Sequence, residues 1–225
     1  MAESNPKELI FSGITIYTDK DFTRAKEYFE KACRLNDAEK CKDLAEFYFN
    51  ANDLKNALEY YSKSCKLNNV EGCMLSATFY NDMIKGLKKD KKDLEYYSKA
   101  CELNNGEGCS KLGGDYFLGE SVTQDLKKAF GYYSKACELN EALTCTLVGE
   151  FYRDGEGVAK DLKKAFEYSA KACELNDAKG CYALAAFYNE GKGVAKDEKQ
   201  TTENLEKSCK LGLKEACDIL KEQKQ

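Results

Sequence analysis

Apolar and polar positions along this 225-residue chain follow the period of a helix, and the whole pattern then repeats. Between positions 126 and 137, Leu126, Ala129, Phe130, Tyr133, Ala136 and Cys137 form the i, i+3, i+4, i+7 stripe that buries one helix face. Asp125 stands before it as a capping residue, and Asp53, Asp93, Asp161 and Asp197 stand before the equivalent stretches. A second kind of helix is predicted from the second cysteine of each pair, as in Cys181-Tyr182-Ala183-Leu184-Ala185-Ala186-Phe187-Tyr188. Seven residues after that cysteine there is a tyrosine each time: Tyr48, Tyr80, Tyr116, Tyr152 and Tyr188. Gly-x-Gly turns at Gly155/Gly157 and Gly191/Gly193 separate the two helices.

The string Asp125-Leu126-Lys127-Lys128-Ala129-Phe130 returns as Asp161-Leu162-Lys163-Lys164-Ala165-Phe166, and Lys99-Ala100-Cys101-Glu102-Leu103-Asn104 returns at 135–140 and 171–176. The first cysteines of successive pairs fall at 33, 65, 101, 137, 173 and 209, a period of 36 shortened once to 32. The short repeat has Phe49-Asn50-Ala51-Asn52-Asp53 where a later one has Gly155 to Asp161, so the deletion lies in a loop. Hairpins that cannot bury their apolar faces alone must stack. The predicted fold is therefore all-α: a right-handed α/α solenoid of six helix-hairpin repeats with a C-terminal capping helix, one domain over 1–225. The approximate repeats are 6–36, 39–68, 71–104, 107–140, 143–176 and 179–212, and the polar stretch 215–224 is the cap. Ser4 or Asn5 caps the first helix, with Pro6 in its first turn.

The cysteines pair as Cys33 with Cys41, Cys65 with Cys73, Cys101 with Cys109, Cys137 with Cys145, Cys173 with Cys181 and Cys209 with Cys217. In one continuous helix, eight steps of about 1.5 Å would hold the partners ~12 Å apart, whereas a disulfide needs Cα atoms within ~7 Å. A bridge thus requires a break between them, and 103–108 and 176–180, rich in Asn and Gly, supply it. The alternatives are reduced thiols or a metal. Structural zinc favours Cys-x(2–4)-Cys and sets of four, and Cys-x-x-Cys, which redox catalysis would use, does not occur. Structural disulfides are the preferred reading and point to an oxidising compartment. Met1 to Ile10 is polar without an apolar core, so the expectation is an exported, mature form whose signal peptide has been removed.

Composition narrows the chemistry further. Histidine is absent, which removes Ser-His-Asp and Cys-His catalysis and the common zinc hydrolase ligand sets. A net charge of −4 argues against general nucleic-acid affinity. No apolar run approaches the roughly 18–20 residues of a membrane span. Nothing in the sequence calls for a cofactor or metal. The tyrosines sit on the buried stripe and read as core, each hydroxyl reaching a partner. The Lys-Lys pairs at 127–128 and 163–164 read as solvated surface, and Gly-x-Gly after a helix is not a dinucleotide motif.

The 36-residue unit with Cys-x(7)-Cys, the Asp-Leu-Lys-Lys-Ala strings and Gly-x-Gly-Val-x-Lys-Asp resemble Sel-like repeats. The constant cysteine spacing makes the chain similar to the Helicobacter cysteine-rich protein family, from Pro6 to Leu220. That resemblance implies a secreted or periplasmic protein with every pair oxidised. It also implies penicillin binding or weak β-lactamase activity, recognition by the host as an antigen, or adaptor roles. Met1-Ala2-Glu3 then resembles a mature terminus. A serine β-lactamase should show Ser-x-x-Lys, Ser-Asp-Asn and Lys-Thr-Gly. Only Ser4-Asn5-Pro6-Lys7 fits the first, the other two are missing, and no nucleophile can be named.

A ligand is expected on the concave surface. On each first helix the stripe two, five and nine residues after the cysteine lies away from the core. It comprises Asp43, Glu46 and Asn50; Leu75, Thr78 and Asp82; Lys111, Gly114 and Leu118; Leu147, Glu150 and Asp154; Ala183, Ala186 and Glu190. These residues differ between repeats while core positions recur. With six acids against one lysine, the stripe suggests an acidic groove for a basic or amine-bearing protein, peptide or peptidoglycan fragment; a merely solvated face is the alternative.

Overall fold

The structure, a computed structural model, describes residues 22–84 and 92–223. The helix expected at the start of the first repeat, with Ser4, Asn5 and Pro6, and the side chain of Asp82 lie outside the described residues. Those residues form twelve α-helices and no strand, in two compact units, one ending at Leu103 and the other beginning at Asn104. The first unit contains α1 (Phe22–Arg34), α2 (Ala38–Asn50), α3 (Leu54–Lys66), α4 (Val70–Ile84) and α5 (Lys92–Glu102). The second contains α6 (Gly106–Leu118), α7 (Leu126–Glu138), α8 (Ala142–Asp154), α9 (Leu162–Glu174), α10 (Ala178–Glu190), α11 (Glu198–Lys210) and α12 (Lys214–Glu222). The pairs α2/α3, α4/α5, α6/α7, α8/α9 and α10/α11 are hairpins, and each unit stacks them in the predicted solenoid manner.

The predicted helix breaks have one local cause. A Leu-Asn pair ends each second helix, and the asparagine takes a left-handed conformation at Asn36, Asn68, Asn104, Asn140 and Asn176, with Gly212 in the last repeat. At the end of α9, Asn176 N–H donates to Cys173 O at 3.0 Å and Asp177 N–H to Ala172 O at 2.9 Å, the bond pattern of a Schellman turn. Asp177 then caps α10 by accepting from Gly180 N at 2.7 Å, so one residue closes a helix and opens the next. The turn brings the cysteines together. Cys33 is bridged to Cys41, Cys65 to Cys73, Cys137 to Cys145, Cys173 to Cys181 and Cys209 to Cys217, with Cα–Cα distances of 4.4 to 4.8 Å. Cys101 and Cys109 are also disulfide-bonded. Asn140→Ala should cost about 1 kcal/mol, because a Cβ in this region is disfavoured without the asparagine's local hydrogen bonding. Asn140→Gly should be neutral or slightly stabilising. Guanidinium unfolding of the two variants checks the pair.

Second helices are capped as expected by Asp53, Asp125, Asp161 and Asp197. Asp93 differs: α5 begins one residue earlier, and Asp93 Oδ1 accepts from the adjacent Leu94 N inside the first turn. The short repeat does lose its residues in a loop, since α2 ends at Asn50 and α3 starts at Leu54. In the long loops Gly155 ends α8 with φ +77°, and Gly157 follows at +65°. A Cβ on Gly157 would lie 2.5 Å from Leu126 O. The second glycine thus lets the loop lie directly on the start of the preceding repeat's second helix, with Val158 packed into the core behind it.

Candidate functional site

The recurring tyrosines lie on the core-facing stripe, Tyr48 and Tyr152 buried and Tyr80, Tyr116 and Tyr188 half-buried, and the first four come in stacks. Tyr48 lies parallel to Tyr60 at 5.5 Å, and Tyr80/Tyr96, Tyr116/Tyr132 and Tyr152/Tyr168 follow at 5.6 Å. Tyr48 donates to Glu30, and Tyr96 donates to Ser62 Oγ at 2.8 Å. The lysine pairs are solvated surface as expected, all four side chains being exposed, and one member of each also meets a ring. Lys128 and Lys164, the second of each pair, place Nζ 5.0 and 5.1 Å from the rings of Tyr116 and Tyr152, as Lys26 and Lys92 do over Tyr48 and Tyr80. At that distance the ammonium is attracted by the negative face of the ring. Another recurrent lysine caps a helix: Lys171 and Lys207 donate to Cys137 O and Cys173 O at 2.8 and 2.6 Å.

In the first unit the stripe residues Asp43 and Glu46 are half-buried, and Asn50 and Thr78 are exposed. Their acidity is compensated on the spot. Lys42, only 9% exposed, lies 3.2 Å from Glu39, Glu46 and Glu71 and 3.8 Å from Asp43; Lys40 also pairs with Asp43. Burial alone would lower the Lys42 pKa, but hydrogen bonds to Glu39, Glu71 and Glu46 outweigh it and hold the ammonium above its ordinary range. Burial pushes the nearby Tyr61 up to about 12, helped by the charge of Glu46. Sequence counting missed this cluster because Lys40 and Lys42 lie off the stripe. The cysteines of this unit stay out of the surface altogether. Cys41 and Cys73 are fully buried, and their sulfurs sit 3.6 and 3.7 Å from the carbonyl oxygens of Cys33 and Cys65. They hold the turns and offer a ligand nothing.

In the second unit Lys111, Asp154 and Glu190 are exposed and Glu150 is half-buried. Asp154 and Glu190 come together around a depression of about 270 Å³, lined also by Arg153, Lys160, Leu162, Ala183, Ala186, Phe187 and Lys192. Arg153 holds Asp154 through both nitrogens of one edge, Nε–Oδ1 at 2.9 Å and Nη2–Oδ2 at 2.8 Å, and this hydrogen bonding keeps the Asp154 carboxyl below its usual range. Lys192 pairs with Glu190 at 2.7 Å. The lining therefore carries both signs of charge beside the small residues Ala183 and Ala186. Lys111 and Glu150 do not line this depression. Beside Lys111 on α6, Leu118 and Phe117 stand 61% and 37% exposed.

Ser134 Oγ is buried without a hydrogen-bond partner among the described residues, while four other serines are engaged by backbone. Buried Ser64, Ser76, Ser169 and Ser208 donate to Ala38 O, Gly72 O, Ala165 O and Ala178 O. Among the described residues no cluster of Cys, Asp and Glu could hold a metal, and no helix is long and apolar enough to cross a membrane.

The family model for the Sel1 repeat matches residues 8–37, 94–105, 106–141, 142–177 and 178–213, roughly two thirds of the chain, and a tetratricopeptide repeat model matches 43–70. HcpC of Helicobacter pylori is 46% identical over 55 residues, covering 24% of this chain and 19% of HcpC. A protein described as beta-lactamase HcpA, from the J99 strain of that species, is 46% identical over 48 residues, 21% of this chain and 19% of its own length. The chain thus matches only about a fifth of these relatives. Among solved structures, the protective antigen c5321 of uropathogenic Escherichia coli, which has an SLR fold, aligns with a TM-score of 0.78 at 25% identity, over 94% of this chain and 47% of that one. A Sel1 repeat protein from Oxalobacter formigenes aligns at 0.66 and 23% identity, over 94% and 86%, and supports the fold alone.

Proposed function

Because the chain belongs to the Sel1 repeat family, in a disulfide-stapled form, we propose that it is an exported scaffold that binds a protein or peptide on its first helices. The observation that carries this reading is in the second unit. Core positions recur from hairpin to hairpin, yet the outward stripe changes from Lys111 and Leu118 to Glu150 and Asp154 to Ala186 and Glu190. Small Ala183 and Ala186 leave open space beside the charged lining residues, room for a side chain of the partner. The paired charges favour a segment bearing an amine beside a carboxylate, as peptides and peptidoglycan stems do, over a purely basic one. Fully oxidised cysteines among the described residues suit a periplasmic or secreted setting.

The test is titration of the oxidised chain with a peptide and muropeptide panel, read by fluorescence anisotropy. For a ligand so identified, Ala186→Arg, which fills the depression, and Glu190→Lys should each weaken binding about tenfold, a loss of ~1.4 kcal/mol, with unchanged circular dichroism. Affinity equal to that of the parent in both variants overturns the placement. The names of the Helicobacter pylori relatives raise β-lactam hydrolysis as a second reading. With Ser64, Ser76, Ser169 and Ser208 committed to backbone carbonyls and Ser134 Oγ buried away from solvent, the same preparation is expected to leave a chromogenic cephalosporin intact. Turnover, or a penicillin adduct in the intact mass, would make this an enzyme and locate its nucleophile.

A further inference from the structure

The structure assigns a distinct role to the last bridge: we propose that Cys209–Cys217 is a thiol–disulfide exchange site for a dithiol reductant, and that it latches α12. Ten other cysteines are 0 to 3% exposed, and only Cys209 and Cys217 are partly open to solvent. The bridges 33–41, 65–73, 137–145 and 173–181 lie at turns between stacked hairpins, and this one joins α11 to α12. Its ring is open as well: Leu211 is 39% exposed, and Gly212, at φ +100°, has no heavy atom within 4 Å of where a Cβ would stand.

The helix it holds has few other anchors. α12 has nine residues and follows Leu213, which offers no side-chain cap; Asp37, Asn105 and Asp177 cap three of the corresponding helices, and Glu141 before α8 does not. Ala216 is its one fully buried residue, seated with Ala185 and Leu205, and Ile219 and Leu220 pack half-buried against the same cluster. Helices this short do not persist without tertiary contacts, so the covalent tether carries much of the docking.

The exchange is balanced with a dithiol as the electron donor. A donor thiolate attacks one sulfur of the bridge, forming a mixed disulfide and expelling the other sulfur as a thiolate that takes up a proton. The second donor thiolate then displaces the remaining cysteine, which is protonated in turn. The donor leaves as a disulfide, and Cys209 and Cys217 are left as thiols. The buried bridges wait for larger opening events before a thiolate can reach them. Release of α12 uncovers Ala185, Leu205 and Tyr182.

The full oxidised chain is treated with limiting dithiothreitol, quenched with N-ethylmaleimide and mapped by peptide mass spectrometry, with hydrogen exchange followed in parallel. Cys209 and Cys217 should be alkylated at least about ten times faster than any other pair. Amides of 214–222 should lose protection together with that labelling, while α7 to α10 keep theirs. Reduction of another bridge first, or of all at one rate, overturns the exchange site. Selective reduction with α12 still protected overturns the latch. The Cys209→Ser/Cys217→Ser double variant gives an independent reading, since its α12 should exchange freely without any reductant.

Discussion

Replacing Cys137 and Cys145 together with alanine is expected to lower the free energy of unfolding by about 3 kcal/mol. Cross-linking residues eight apart removes about 2.5 kcal/mol worth of chain entropy from the unfolded state, and the loss of two sulfurs that are 0% exposed adds a packing term. This bridge stands where α7 turns into α8, against Tyr133, Val148 and Phe151 in the largest core of the second unit. A partly exposed bridge such as Cys209–Cys217 should cost less, because its removal leaves no cavity. Guanidinium unfolding of oxidised parent and variant measures the difference. In a stack whose units contact only their neighbours, hydrogen exchange should rise chiefly in α7, α8 and α9. An unchanged midpoint would mean that the native turn alone holds the two helix ends together.

A single methyl group should do comparable harm in a loop. Gly157→Ala is expected to cost about 2–4 kcal/mol, summing the penalty for a Cβ at positive φ and the strain of overpacking. The methyl would stand 2.5 Å from Leu126 O and 2.6 Å from its carbon, and backbone cannot move aside as a flexible side chain would. Gly131→Ala is the matched control: it sits inside α7 with open space around it, so the same change should stabilise by up to about 1 kcal/mol. Thermal and guanidinium unfolding of both variants should give shifts of opposite sign. A neutral Gly157→Ala would show that the loop can lift off the preceding helix without cost.

Much of this was legible in the chain. The 36-residue period, the Asp caps, the tyrosine position and the seven-residue cysteine spacing are local or strictly periodic signals, and each maps onto a helix, a cap or a turn. Asp93 failed as a cap because α5 begins at Lys92, one residue ahead of it. The candidate site was less legible, for an electrostatic reason. Counting charges along one stripe gave an acidic surface, but Lys42, Arg153 and Lys192 reach their acids from neighbouring positions. Which lysine turns toward Glu46, and which lies over Tyr152, depends on side-chain packing between helices, and a one-dimensional pattern does not contain it. The depression around Ala183 and Ala186 likewise exists only once loop and helix are brought together.

The stacked tyrosines have an optical consequence. The chain has no tryptophan, so its near-ultraviolet absorption comes chiefly from tyrosine, and Tyr48/Tyr60, Tyr80/Tyr96, Tyr116/Tyr132 and Tyr152/Tyr168 are four nearly parallel ring pairs distributed over four hairpins. Neighbouring chromophores held in a fixed mutual orientation couple, and the coupling vanishes when the rings separate. The protein thus carries a built-in spectroscopic gauge of its own hairpins. Changing one ring of a pair to phenylalanine subtracts that hairpin's signal and lets the melting of each be followed in turn without an added dye or label.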